Sequence, residues 1–197
     1  MNVLGIAGSH RRGSNTDILL AEVLKGAVSH GAETKNIVVP NLNIMACLHC
    51  DACLSSGACP FGDDMARIYQ DLAWADCIVL STPLYFMGLP SQTKALIDRT
   101  QALWVKKYLL HQPPLGDSRE RRGLFVVVGG RTGDNLFEGA QMTVKAFFAS
   151  LDVRYAGMIA HSGIEKRAEI LALPEAVQGA FAAGEGLVSE KNTCPVQ

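Results

Sequence analysis

Five runs of the chain are apolar and rich in β-branched residues, with little alternation between hydrophobic and polar positions: Val3 to Ala7, Thr34 to Val39, Cys77 to Ser81, Gly123 to Val128 and Val153 to Ala160. Runs of that length without alternation predict strands buried on both faces. Stretches with apolar residues at helical spacing follow each of them, over Thr16 to Ser29, Met65 to Ala75, Ser91 to Val105, Phe137 to Leu151 and Glu175 to Ser189. Five βα units in succession call for parallel strands joined by right-handed crossovers, with helices on both faces of the sheet. The pattern therefore predicts an α/β fold, a doubly wound five-stranded parallel sheet of strand order 2-1-3-4-5. The rival six-stranded order would need another strand and a glycine fingerprint that this chain lacks.

That five-stranded order is the flavodoxin-like one, and 197 residues suit a single domain over 1–197. With 48% apolar and 19% charged residues the chain has the material for a core, while its net charge of −1 supplies no basic field for a nucleic acid. No apolar run approaches the roughly 20 residues that a membrane span needs, and the start lacks a basic segment ahead of its short apolar stretch. The expectation is a cytoplasmic protein with no nucleic-acid or membrane partner.

Two connections exceed the usual two to six residues: Pro40 to Asp64, and Lys106 to Arg122. The second, with its two prolines and four charges at Arg119 to Arg122, reads as an exposed insertion. The short connection after the first strand carries chemistry. Gly8-Ser9-His10-Arg11-Arg12-Gly13-Ser14-Asn15-Thr16 leads straight into a helix, whose N-terminal amides and partial positive charge attract a phosphate. It is neither a Walker loop nor a G-x-G-x-x-G turn. The ordinary alternative is a Ser/Asn helix cap with solvated arginines. Ligands of such sheets sit beyond the strands' carboxyl ends where the order reverses, between the first and third strands. Two more loops then converge there: Ser81 to Pro90, aromatic and suited to a flat ring, and Gly129-Gly130-Arg131-Thr132-Gly133.

The long loop holds four of the six cysteines, as Cys47-x2-Cys50-x2-Cys53-x5-Cys59-Pro60. Such crowding points to one shared ligand or shared redox chemistry. The spacing is like the start of a ferredoxin run. A tetrathiolate zinc site more often pairs two separated knuckles, and a metal-free redox loop is the third reading. His49 lies inside the motif but four cysteines already complete a cubane. Cys77 begins an apolar strand and Cys194 lies in the polar tail, so neither is a candidate ligand. No Ser-His-Asp set, carboxylate pair or His-Glu-x-x-His motif is present, which leaves hydrolysis without players.

Three stretches resemble the NADPH-dependent FMN reductase-like flavoproteins: Gly8-Ser9 through Ser14-Asn15-Thr16, Thr82 to Phe86, and Gln92 to Arg99. The likeness is clear over about residues 1 to 100 and weak beyond, except at Gly129-Gly130. It implies that Ser9, Arg11, Ser14, Asn15 and Thr16 hold the FMN phosphate, that Pro83, Leu84, Tyr85 and Phe86 border the isoalloxazine, and that Gly129 and Gly130 lie near its far edge. Lys94, Asp98 and Arg99 look like helix and interface residues without chemistry. The cysteine motif, with Asp63-Asp64-Met65 behind it, resembles that of the iron-sulfur flavoproteins, which implies a [4Fe-4S] cluster on Cys47, Cys50, Cys53 and Cys59. The same likeness implies an oxidoreductase, a ferredoxin-like electron donor or a small-molecule acceptor, NADPH or NADH as a possible reductant, and a homodimer or homotetramer. The competing expectations are an NAD(P)H-dependent FMN or quinone reductase without a cluster, and a non-enzymatic redox sensor.

Overall fold

The computed structural model describes residues 1–189; Cys194 lies outside them. Its strands are β1 (Asn2–Ala7), β2 (Glu33–Val38), β3 (Cys77–Pro83), β4 (Arg121–Gly129) and β5 (Val153–Ser162). They form one parallel sheet in the order β2-β1-β3-β4-β5, as the βα alternation predicts. The helices are α1 (Asn15–Ser29), α2 (Met65–Trp74), α3 (Ser91–Arg99), α4 (Gln101–Tyr108), α5 (Glu138–Ser150) and α6 (Pro174–Val188), with short 3-10 turns at Val39–Asn41 and Glu169–Ala172.

The pleat sends successive side chains to opposite faces, and both faces are covered. Leu4, Ile6, Ile78, Leu80, Phe125 and Val127 pack toward α2 to α5, while Val3, Ala7, Val79, Leu124 and Val126 pack toward α1 and α6. The absence of alternation in β1, β3 and β4 thus has its expected cause. The two outer strands differ from expectation. β2 is a largely exposed edge and β5 is half-buried, because each has a neighbour on one side alone.

Two further corrections concern the second half. The helix expected over Ser91 to Val105 is two helices that break at Thr100, whose hydroxyl donates to the Ile97 carbonyl at 2.6 Å and competes with helix continuation. The segment from Lys106 to Arg122 is not simply an exposed insertion. Leu115 is buried in the core, Arg119 bonds Asp76 at 2.7 Å, and Arg121 is buried with Asp117 at 2.8 Å and the Ala75 carbonyl at 3.0 Å.

α1 and α6 cross with their backbones in contact. A Cβ on Gly26 would overlap the Phe181 carbonyl, and one on Gly184 would overlap that of Val23. Gly179, in the same helix α6, faces open space. Gly184→Ala is therefore expected to lower the melting temperature, with overpacking costing about 1–3 kcal/mol. Gly179→Ala should raise it by the roughly 1 kcal/mol helix-propensity difference between alanine and glycine. Thermal unfolding of the two variants checks the pair; equal effects would mean the helices do not touch there.

Candidate functional site

The carboxyl ends of β1, β3, β4 and β5 open onto two adjoining cavities. In the loop after β1, Gly13 takes a left-handed conformation (φ 65°) and delivers the chain to Ser14, the N-cap of α1. Ser14 accepts from the Asp17 amide at 3.1 Å, Asp17 accepts from the Ser14 amide at 3.2 Å, and the Ser14 and Thr16 hydroxyls are 3.0 Å apart. The cap leaves the first-turn amides of Asn15 and Thr16 without an intrahelical acceptor. Ser9 accepts from the Arg11 amide at 3.2 Å and so holds the loop's tight curl. A Cβ on Gly8 would collide with the buried Thr82 and Thr93 hydroxyls, so the loop sits directly on β3 and α3.

The first cavity, about 220 Å³, is walled by Ser9, Arg11, Ser14, Asn15 and Thr16 together with Pro83, Leu84, Tyr85 and Gly130. The second, about 520 Å³, shares Leu84, Tyr85 and Gly130 and adds Phe86 and Gly129. Every residue expected to touch the flavin therefore lies on one continuous cleft. Hydroxyls, amides and guanidinium at one end and apolar and aromatic side chains at the other match a group with a phosphate tail and a flat ring.

Tyr85 and Gly88 exchange amide hydrogen bonds at 3.0 and 2.9 Å, with Phe86 and Met87 both at positive φ, 49° and 61°. This is a two-residue hairpin of type I′ geometry built without Gly or Asn at its centre. It carries Phe86 fully into solvent at the rim of the larger cavity.

The sequence reading missed the loop after β5. Ile164, Glu165 and Arg167 line the first cavity, and the Arg167 guanidinium lies against Gly13. Asn15 is the tie to this loop, donating to the Lys166 carbonyl at 2.9 Å and accepting from the Ile170 amide at 3.1 Å. Its side chain is thus a brace, and its backbone amide is the group that faces the cavity end of the helix. The available signal was positional: Glu165-Lys166-Arg167 comes two residues after the carboxyl end of β5, where a doubly wound sheet places its ligand walls.

The cysteine loop forms a separate pocket. Cys47, Cys50, Cys53 and Cys59 line a small cavity of about 60 Å³ with His49, Phe61 and Arg99. Cys47 and Cys50 are exposed, Cys53 and Cys59 half-buried. His49 and Asp51, between the first three cysteines, adopt positive φ, and the Gly57 amide bonds the Cys53 carbonyl at 2.8 Å. Burial pushes the Cys53 thiol up, and the three neighbouring cysteines push it further in spite of a backbone hydrogen bond that lowers it. Four cysteine sulfurs lining one pocket suit a cationic core that would neutralise their thiolates. Among the described residues no three of the His, Cys, Asp and Glu side chains are grouped closely enough for a single metal ion. Cys77 is buried on the sheet, its thiol pushed up to about 11 by desolvation.

Two carboxylates close the loop. Asp64 accepts from the Asn43 amide at 2.7 Å, and Asp63 from the Met45 amide at 3.0 Å and the Met65 amide at 3.1 Å. Asp63 also pairs with Arg99, expected as a helix and interface residue and here buried within the chain; the exposed pair on α3 is Lys94 with Asp98, 2.6 Å apart. Burial works against the Asp63 charge, but the Arg99 guanidinium and the two amides outweigh it and hold the carboxyl below its ordinary value.

Residues 1–160 match the family model described as NADPH-dependent FMN reductase, and the chain belongs to that family. It is 35% identical over 150 residues, 75% of this chain and 71% of the relative, to an iron-sulfur flavoprotein of Methanocaldococcus jannaschii, which places it in the iron-sulfur flavoprotein branch. A second such flavoprotein of that organism is 38% identical over 52% of this chain. The matched region spans 53% to 62% of the lengths of the first curated relatives. An NAD(P)H:quinone oxidoreductase from Methanothermobacter marburgensis shares the fold, with a TM-score of 0.67 at 14% identity over 98% of both chains. Among the described residues no helix is long and apolar enough to cross a membrane.

Asp63→Asn is expected to unfold at lower urea at pH 7, because breaking a buried pair costs about 3–5 kcal/mol. The Asp63 charge stabilises the fold fully above the unfolded value of about 3.9, and that stabilisation is lost as pH falls through the lower folded value. The gap between wild type and variant should therefore narrow below about pH 4. Urea midpoints measured against pH read this directly; parallel curves would show that the Asp63 charge is not what stabilises the fold, and coincident ones that the pair contributes nothing.

Proposed function

We propose that the chain is an oxidoreductase that binds FMN in the cleft at the carboxyl end of the sheet and a [4Fe-4S] cluster on Cys47, Cys50, Cys53 and Cys59, and moves electrons between them. The observation that carries this reading is the four-thiol cavity in a chain whose phosphate cradle and ring wall share one cleft. Iron-sulfur flavoprotein is also the name of its relatives at 35–38% identity. When bound, FMN supplies exchange of electrons in pairs or singly, and the cluster supplies single-electron transfer.

The protein's part is binding, orientation and exclusion of water. Ser9, Ser14 and Thr16 offer hydroxyls, Asn15 and Thr16 amides, and Arg11 and Arg167 positive charge to the phosphate. Pro83, Leu84 and Tyr85 would border the ring, with Phe86, Gly129 and Gly130 on the wider side of the cleft. The Asp63 and Asp64 clamps keep the four cysteines on one pocket. A one-electron protein donor of ferredoxin type suits the exposed Cys47 and Cys50 edge. Phe86, the most exposed of the large apolar side chains among the described residues, is one that association into a homodimer or homotetramer would cover. The room in the larger cavity favours a second reading, direct reduction of the flavin by NADPH or NADH without a cluster, followed by transfer to a flavin or quinone.

Anaerobic purification with iron, zinc, acid-labile sulfide and flavin analysis on one sample tests the reading. About four iron and four sulfide with one FMN per chain supports it. FMN with zinc or without metal would move the assignment to the second reading. Cys50→Ala should lose iron and sulfide but keep FMN, since the two pockets are built from separate loops; loss of both together would show that they fold as one unit.

Arg11→Ala combined with Ser14→Ala should weaken FMN binding more than riboflavin binding, because the phosphate is the difference between them. Titration of the flavin-free protein with each ligand measures this, and equal weakening would place the phosphate elsewhere.

A further inference from the structure

Arg99 is among the largest fully buried side chains of the protein, and the loop clamp accounts for part of it alone. Its Nη1 donates to the Met45 carbonyl at 2.9 Å and its Nη1 and Nη2 donate to the Asp63 carboxylate. Its Nε–H is buried and has no acceptor among the described residues. An unmade hydrogen bond on a buried donor costs about 1–3 kcal/mol, so an uncompensated one points to an absent acceptor. Arg99 lines the four-cysteine cavity together with Cys59 and Phe61, the latter with its ring centroid 5.1 Å from the guanidinium carbon. Asp63 is not on that cavity wall. The pocket therefore meets the cation, while the compensating carboxylate stands behind it at the Nη end.

We infer, resting on the cluster reading above, that Arg99 is a positioning residue that sets the reduction potential of the iron-sulfur cluster, through its buried positive charge and its free Nε–H. One-electron reduction adds one negative charge to the pocket and breaks no bond. A fixed cation beside the pocket stabilises the more negative state over the less negative one and so raises the potential. Arginine fits this task better than lysine or histidine, because its charge is not lost on burial at any working pH. The same residue is anchored from behind by the Tyr69 hydroxyl, which donates to the Arg99 carbonyl at 2.6 Å, so its distance to the pocket is held by α2 as well as by the loop.

The test is a dithionite titration of the anaerobically loaded full-length chain, with the cluster followed by electron paramagnetic resonance and the flavin by absorbance. Arg99→Gln, matched to wild type in iron and sulfide content, is expected to show a more negative cluster midpoint and an unchanged flavin midpoint. An unmoved cluster midpoint in a fully loaded variant overturns the inference and leaves the cluster reading standing. A wild-type chain that takes up no iron and sulfide overturns the cluster reading, and this inference with it. Should Arg99→Gln fail to fold, the wild type carries the test through its ¹⁵N-labelled arginine Nε–H signals, with the Arg99 signal assigned by Arg99→Lys. A shift of that signal between metal-free and loaded protein supports the role, and an unshifted signal overturns it.

Discussion

The Asp63 carboxylate is the point on which the cysteine loop depends. One oxygen receives the amide of Met45 at the loop's start, the other the amide of Met65 at its end, and both receive Arg99 from α3. A connection of more than 20 residues has no secondary structure to define it, and its entropy of closure must be offset by a few strong contacts. A charge-assisted pair with both members buried is such a contact, because in a dry site its loss leaves a charge without a partner. The loop is thereby referred to the rigid end of α3 rather than to solvent.

That same helix links the two pockets. α3 begins just after the hairpin that carries Tyr85 and Phe86 on the flavin cleft and ends at Arg99 on the cysteine pocket, a span of about 13 Å for nine residues. Its start is pressed against the phosphate loop through Thr93 beneath Gly8. The break at Thr100 lets the chain stop at Arg99 and turn into α4, so the helix that looked continuous in sequence is divided where the second pocket needs an end. The sheet supplies the common frame, since all its strands run the same way and leave their loops at one edge.

The strand order and the residues that line the cleft at the sheet's carboxyl edge are legible because they rest on local signals. Unalternating apolar runs mark β1, β3 and β4, and a Ser/Asn cap after a glycine-bounded loop marks the start of α1. Periodicity failed at β2 and β5, where an apolar stretch at the sheet's edge has the look of an interior strand and the difference lies in the number of neighbours. Charge and proline content mark the segment that holds Leu115 and Arg121 as an exposed insertion, because they describe average surroundings and not the individual burial that Asp117 and the Ala75 carbonyl make possible for Arg121.

By itself the sequence determined the fold class, the capped loop that opens α1 and the presence of four thiols at a ferredoxin-like spacing, since each of these is carried by residues close together in the chain. Only the tertiary structure decided that Arg99 is buried at the cysteine pocket, that Asn15 braces the loop after β5, and that Glu165 and Arg167 join the flavin cleft. Those roles arise from partners 36 to 155 positions apart, as for Asp63 with Arg99 and Asn15 with Ile170. No local pattern encodes such pairings, because they follow from the order in which the strands are laid side by side.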